Sequence, residues 1–151
     1  MTIPNLNQVS EVSLTYKTHF NPTNRPKLTS STDSYDILLS NWSDELELRE
    51  EFKVLLLNRA SRVIGLITIS KGGISSTVVD PKLVFAAALK ACASSIILCH
   101  NHPSYNLKPS QADITLTKKL VQAGDFLDIK VLDHLIITPD SYYSFADEGL
   151  I

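Results

Sequence analysis

The sequence predicts an α/β protein built on a single mixed β-sheet flanked by helices, in one domain. Three observations carry this expectation. Apolar runs of strand length recur at Glu51–Leu57, Arg62–Ile69 and Ser95–Cys99. Two longer segments, one opening at Asp80 and one at Ser110, are bounded by helix start and stop signals. A hairpin turn, Asn58-Arg59-Ala60-Ser61, joins the first two strands ahead of the first core helix. With 151 residues, 44% hydrophobic and 20% charged, the chain can bury one ordinary core.

Residues 1–28 are polar and hold Pro4, Pro22 and Pro26. They read as an N-terminal arm, in which the loose alternation from Val9 to Tyr16 predicts one strand. His19, beside Phe20 and far from other ligand types, reads as a surface histidine. Thr29-Ser30-Ser31-Thr32-Asp33 supplies helix N-caps, and the spacing of Tyr35, Leu38, Leu39 and Trp42 predicts a helix over Thr32–Ser40 with Trp42 docked on the core. The strand Glu51–Leu57 pairs through the hairpin with Arg62–Ile69, which Lys71-Gly72-Gly73 ends. Ile74–Val79 predicts a third short extended piece. Asp80-Pro81 caps and opens a helix whose Leu83, Val84, Ala86, Ala87, Ala88, Leu89 and Ala91 leave almost no polar face, so it is expected to be packed on most sides.

After the Ser95–Cys99 strand comes a loop holding Pro103 and Pro109, then a helix over Ser110–Gly124 with Ile114, Leu116, Leu120, Val121 and Ala123 as its core side and Gly124 as its stop. Leu127–Leu132 reads as a strand, interrupted by Asp133-His134 before Leu135-Ile136-Ile137. Pro139-Asp140-Ser141 turns the chain into a last extended piece, Tyr142–Phe145.

The net charge of −2 and pI near 6.0 argue against a general nucleic-acid binder, whose affinity comes largely from basic contacts to phosphate. Lys118-Lys119 reads as a solvated helix face. No apolar run reaches bilayer length, and Met1–Asn5 lacks the basic and apolar regions of a signal peptide, so the expected compartment is the cytoplasm. Cys92 and Cys99 are then expected to be reduced core residues.

The chemistry concentrates at His100-Asn101-His102. Side chains alternate along a strand, so His100 and His102 face the same way and Cys99 faces away. Asp113, in the first turn of the helix opened by Ser110, can swing back toward the imidazoles. Two neutral nitrogens and one carboxylate would leave a fourth position open for water, as a catalytic zinc requires. Ser110-Gln111-Ala112-Asp113 also has the form of a capping box, which needs no chemistry. A hydrolase further needs a carboxylate to carry a proton. Glu50 and Glu51 are both candidates and by alternation face opposite ways, Glu50 with Phe52, Val54 and Leu56, Glu51 with Lys53, Leu55 and Leu57. Lys53 implies that the second face is partly wet near the strand start.

His-x-His, seven residues, Ser, two residues, Asp is the pattern of the JAMM metalloprotease motif of MPN domains, and His100-Asn101-His102-Pro103-Ser104 with Pro109-Ser110 and Asp113 resembles the RadC branch of that family. The resemblance covers roughly residues 29–151. It includes Glu50-Glu51-Phe52, Gly72-Gly73, Asp80-Pro81 and Val131-Leu132-Asp133-His134-Leu135-Ile136. It implies a JAMM/MPN, cytidine-deaminase-like core and one zinc ion held by His100, His102 and Asp113. It also implies Glu50 as the catalytic base, Ser110 as donor to the oxyanion, and a peptide or isopeptide substrate in a protein. Asp133-His134 reads either as support for a metal ligand or, slightly preferred, as a buried Asp–His hydrogen bond between strands. The sequence departs from the family at Tyr105, where the pattern has Gly. Either the loop path differs or Tyr105 covers the cleft. A DNA-repair-associated or protein-interaction accessory role with a structural or idle metal site is the alternative. A metal nuclease is discounted, because nucleases with a His-Asn-His signature spread their key residues over a whole ββα unit. The oligomeric state is not legible.

Overall fold

A computed structural model describes residues 8–13, 15–73 and 77–151. The architecture is the expected one, a single five-stranded mixed sheet with helices on both faces. The elements are a short 3-10 turn at Pro22–Asn24, α1 (Ser31–Ser40), β1 (Glu51–Leu57), β2 (Val63–Lys71), α2 (Pro81–Lys90), β3 (Ser95–Asn101), α3 (Gln111–Phe126), β4 (Lys130–Ile137) and β5 (Tyr142–Ser144). The strand order is β2-β1-β3-β4-β5, with only β3 and β4 parallel. β1 and β3 lie at the centre, and every residue of each is buried. Their apolar runs suit strands covered on both faces.

Alternation along β1 and β3 feeds two cores. Phe52, Val54, Leu56, Ile96 and Leu98 pack against Val84, Phe85 and Ala88 of α2 and Leu120 of α3. Leu55, Leu57, Ile97 and Cys99 pack with Leu38 of α1 on the other side. Each such buried Val, Leu, Ile or Phe side chain is worth roughly 1.5–3 kcal/mol.

β4 is continuous through Asp133 and His134, where an interruption was expected. The irregularity lies one residue earlier. Ile96 pairs with Val131 but Ile97 pairs with Asp133, so Leu132 is an extra residue in the ladder. This bulge reverses the parity of the strand. Val131 faces the α2–α3 core and Leu132 the α1 core, after which Leu135 and Ile137 continue on the α1 side. His134 is thereby turned to the face that carries His100.

Several local expectations are corrected. Among the described residues of Val9–Tyr16 there is no strand, and Leu14 lies outside them. Thr77–Val79 are not strand either, and residues 74–76 lie outside the described set. α2 buries only Val84, Phe85 and Ala88, leaving Leu83 and Leu89 more than half exposed. Gly124 sits inside α3, not at its end. A Cβ there would lie 2.3 Å from the Ile129 carbonyl oxygen, so the glycine serves a close approach of α3 to the chain leading into β4. The chain instead reverses at Asp128, in the left-handed region at φ 55°. Cys92 is exposed and only Cys99 is a core residue, although both are free thiols. No helix among the described residues is long and apolar enough to cross a membrane.

The arm joins the sheet at its end. Leu28 N–H donates to Ser61 O and Val63 N–H to Pro26 O, both at 2.9 Å, and the Tyr16 hydroxyl donates to Ile64 O.

Candidate metal centre

The antiparallel pairing of β1 with β3 sets Phe52 across from His100, and continuing that register by two residues brings Glu50 opposite His102. The backbone of Glu50 is fixed by the end of β2, its N–H donating to Gly73 O at 3.1 Å and its carbonyl accepting from Gly72 N–H at 2.8 Å. α3 arrives from the other side with its first turn closed by a reciprocal capping box. Ser110 Oγ accepts from Asp113 N–H at 3.0 Å, and Asp113 Oδ2 accepts from Ser110 N–H at 2.8 Å.

These elements bring Glu50, His100, His102 and Asp113 together. The two Nε2 atoms stand 2.9 Å apart. Glu50 Oε1 is 3.8 Å from each of them, and one donor atom from each of Glu50, His100 and His102 lies within 4.8 Å of the other two. Asp113 reaches the same nitrogens from α3, Oδ1 at 3.5 Å from His100 and Oδ2 at 3.7 Å from His102. Glu51 points away, as alternation predicted. The face it shares with Lys53 is not wet, however. Both residues are buried, and Glu51 is met by Ser43, Lys53 and Lys71.

The donor set fits a cation. A backbone carbonyl can only accept, so His102 Nδ1, bonded to Asn106 O, carries the ring proton and Nε2 presents its lone pair to the site. Burial, with the neighbouring His100, holds His102 below the usual histidine range and favours this neutral form. Among the described residues, no lysine or arginine lies within ion-pair distance of Glu50 or Asp113. Two carboxylates and paired imidazoles, buried to half-buried and with no basic side chain at ion-pair distance, leave negative charge that a divalent ion would compensate.

The two carboxylates are tuned apart. Burial raises Glu50 above the usual glutamate range, with Asp113 adding to the rise and His100 opposing it. Burial acts on Asp113 in the same direction, but His100 and the Ser110 cap outweigh it and hold its carboxyl well below the usual range. A cavity of about 210 Å³ opens over the group, with Glu50, His102, Ser104, Lys108, Ser110 and Asp113 in its wall. Ser110 is exposed there. Its oxygen accepts from the helix cap, which leaves its own O–H free to donate.

Tyr105 does not line this cavity. It takes φ 67°, the left-handed conformation that a glycine would supply, and its hydroxyl donates to Glu47 on the segment leading to Glu50. Asp133 does not bond the His134 ring. It accepts from the backbone N–H groups of His134 and Ala146 and from the Ser144 hydroxyl. The His134 ring instead touches the site directly, its Nε2 2.8 Å from His100 Nδ1, and lies stacked on Phe145. Thr117 and Asn101, both buried beside the site, also escaped the sequence reading. Thr117 falls on the core-side helical spacing with Leu120, and Asn101 is the middle letter of the His-Asn-His triplet.

Residues 28–150 match the family model described as the RadC-like JAB domain. A UPF0758 protein of Flavobacterium johnsoniae is 53% identical over 124 residues, which cover 82% of this chain and 53% of that protein. UPF0758 protein SH1266 of Staphylococcus haemolyticus is 44% identical over 123 residues, covering 82% and 53%. UPF0758 protein YfjY of Escherichia coli K12 is 50% identical over 103 residues, covering 68% and 64%. The chain thus spans about half the length of most of the curated relatives it matches.

Proposed function

The chain belongs to the family of RadC-like JAB domains, and from that premise we propose that it is a zinc-dependent hydrolase of a peptide or isopeptide bond in a protein substrate. The observation that carries the reading is the convergence of His100 Nε2 and His102 Nε2, 2.9 Å apart, with carboxylate oxygens of Asp113 and Glu50 within 3.8 Å.

His100, His102 and Asp113 would hold the ion. When bound, it supplies Lewis acidity, polarising the scissile carbonyl and acidifying water. Glu50 is the proton carrier. It takes the proton from the attacking water and returns it to the amine that leaves. Its raised affinity for a proton suits that exchange, while the firmly ionised Asp113 suits a ligand. The free O–H of Ser110, at the cavity wall, donates to the oxyanion, a contribution of roughly 3 kcal/mol in comparable sites.

Metal analysis of the purified protein beside His102→Ala and Asp113→Ala tests the ligand set. About one zinc per chain is expected in the parent and much less in the variants, and a parent that takes up no zinc at neutral pH sinks the reading. Screening peptide and isopeptide libraries against the parent and Glu50→Ala then tests the reaction, with hydrolysis expected from the parent alone.

A further inference from the structure

We propose that Thr117 and His134 are positioning residues that fix the tautomer of His100. They form a relay running from the backbone carbonyl of Asp113 through the Thr117 hydroxyl and the His134 ring. The Thr117 hydroxyl donates to Asp113 O at 2.7 Å and lies 2.6 Å from His134 Nδ1. His134 Nε2 lies 2.8 Å from His100 Nδ1. A carbonyl only accepts, and a hydroxyl has one hydrogen. With that hydrogen on Asp113 O, Thr117 Oγ1 accepts from His134 Nδ1–H. His134 Nε2 is then a lone pair that accepts from His100 Nδ1–H, and His100 Nε2 faces the site without a proton, 2.9 Å from the likewise unprotonated Nε2 of His102, a close approach that a cation between the two nitrogens would relieve.

The three side chains are 2%, 0% and 1% exposed, so no water can stand in for any of them. Phe145 stacks on the His134 ring at 4.6 Å and Phe52 meets its edge at 5.6 Å, which holds the ring in the plane the relay needs. The bulge at Leu132 is what aims His134 at this face. The relay ends on Asp113, the residue whose carboxylate also reaches both imidazoles. Seating α3 therefore delivers a ligand and sets the tautomer of another in one step.

The consequence for zinc rests on the metal reading above, whereas the tautomers do not. Thr117→Val removes the hydroxyl at nearly constant shape and Thr117→Ser returns it. Thr117→Ala replaces the valine variant should that one not fold. Imidazole tautomers are read by long-range 1H–15N correlation in the metal-free protein, and zinc affinity by competition with a chromophoric chelator. In the parent and Thr117→Ser, His134 is expected to carry its proton on Nδ1. In Thr117→Val that proton moves to Nε2, where it donates to His100 and drives the His100 proton to the nitrogen needed for zinc. Zinc Kd then rises about 10- to 100-fold. A parent His134 protonated at Nε2, or a Thr117→Val variant with unchanged tautomers, overturns the relay. A parent that binds no zinc defeats the metal reading instead, and the tautomers alone then decide the relay.

Discussion

The Asn101 side-chain oxygen accepts from the backbone N–H of Glu51 at 2.7 Å, while its amide group donates to Leu46 O and Arg49 O at the same distance. The middle residue of His-Asn-His thus points away from the imidazoles and ties down the segment that ends in Glu50. One strand end orders the two imidazoles on one face and the Glu50 backbone on the other.

Asn101 is fully buried, so its truncation leaves one N–H and two carbonyls unpaired. At about 1–3 kcal/mol for each such group, less what relaxation recovers, Asn101→Ala is expected to cost roughly 3 kcal/mol. Urea unfolding of the metal-free protein checks this. Asn101→Asp is expected to do no better, because it loses both donors and buries a charge.

Tyr105 sits at φ 67° with its side chain nearly half exposed. A left-handed conformation is disfavoured for a tyrosine and free for a glycine. Against that, the variant loses a solvent-exposed hydrogen bond to Glu47, which is a weak one. The backbone effect is the larger, so Tyr105→Gly is expected to raise Tm by about 2–4 °C. Tyr105→Phe, which keeps the strain and loses the bond, is expected to lower Tm slightly. A fall in Tm for the glycine variant would show that the Glu47 contact outweighs the backbone.

What the sequence disclosed and what it hid divide along a physical line. The β1 and β3 runs, the Asp80-Pro81 start and the Ser110 cap are local signals, and the elements they predict form. The facing of His100, His102 and Glu50 follows from period two, which two paired central strands preserve. The direction of His134 depends on an extra residue in a parallel ladder, and nothing in Val131-Leu132-Asp133 marks a bulge without its partner strand. Thr117 reads as an ordinary helix residue until α3 is seated against β4. Gly124 looks like a stop because glycine often ends helices, but here it is needed for a close approach that only the fold creates.

Stability should fall with acid from near neutrality in the metal-free protein. Burial drives His134 well below its ordinary value of 6.5 and also lowers His102. As pH drops below about 6.5, the unfolded chain takes up protons there that the native chain refuses, so stability is lost, by up to about 1.4 kcal/mol per pH unit for each proton. Glu50 opposes the trend, because its raised value lets the native state hold a proton that the unfolded state has released. The histidines act first, since their window begins at higher pH. Urea midpoints in chelator between pH 7.5 and 5 are expected to decline, and the decline is expected to be shallower in His134→Gln. A flat parent curve would contradict the burial argument.

The two carboxylates offer the sharpest separation of roles. Asp113 spans both imidazole nitrogens, one oxygen to each, and is braced by the Ser110 N–H. Asp113→Asn keeps an oxygen for that cap, so α3 should remain seated, but the loss of the anionic donor is expected to weaken zinc by at least about 10-fold. Glu50 stands 3.8 Å from each nitrogen and faces the cavity. Glu50→Gln preserves its shape and removes only the capacity to carry a proton. It is therefore expected to hold zinc within a few-fold of the parent while losing any hydrolysis by about 100-fold or more. Chelator competition on the two variants under one buffer decides the matter. If Glu50→Gln releases zinc and Asp113→Asn keeps it, the ligand and the proton carrier have been assigned the wrong way round, and the geometry of the Glu50, His100 and His102 trio becomes the coordination set.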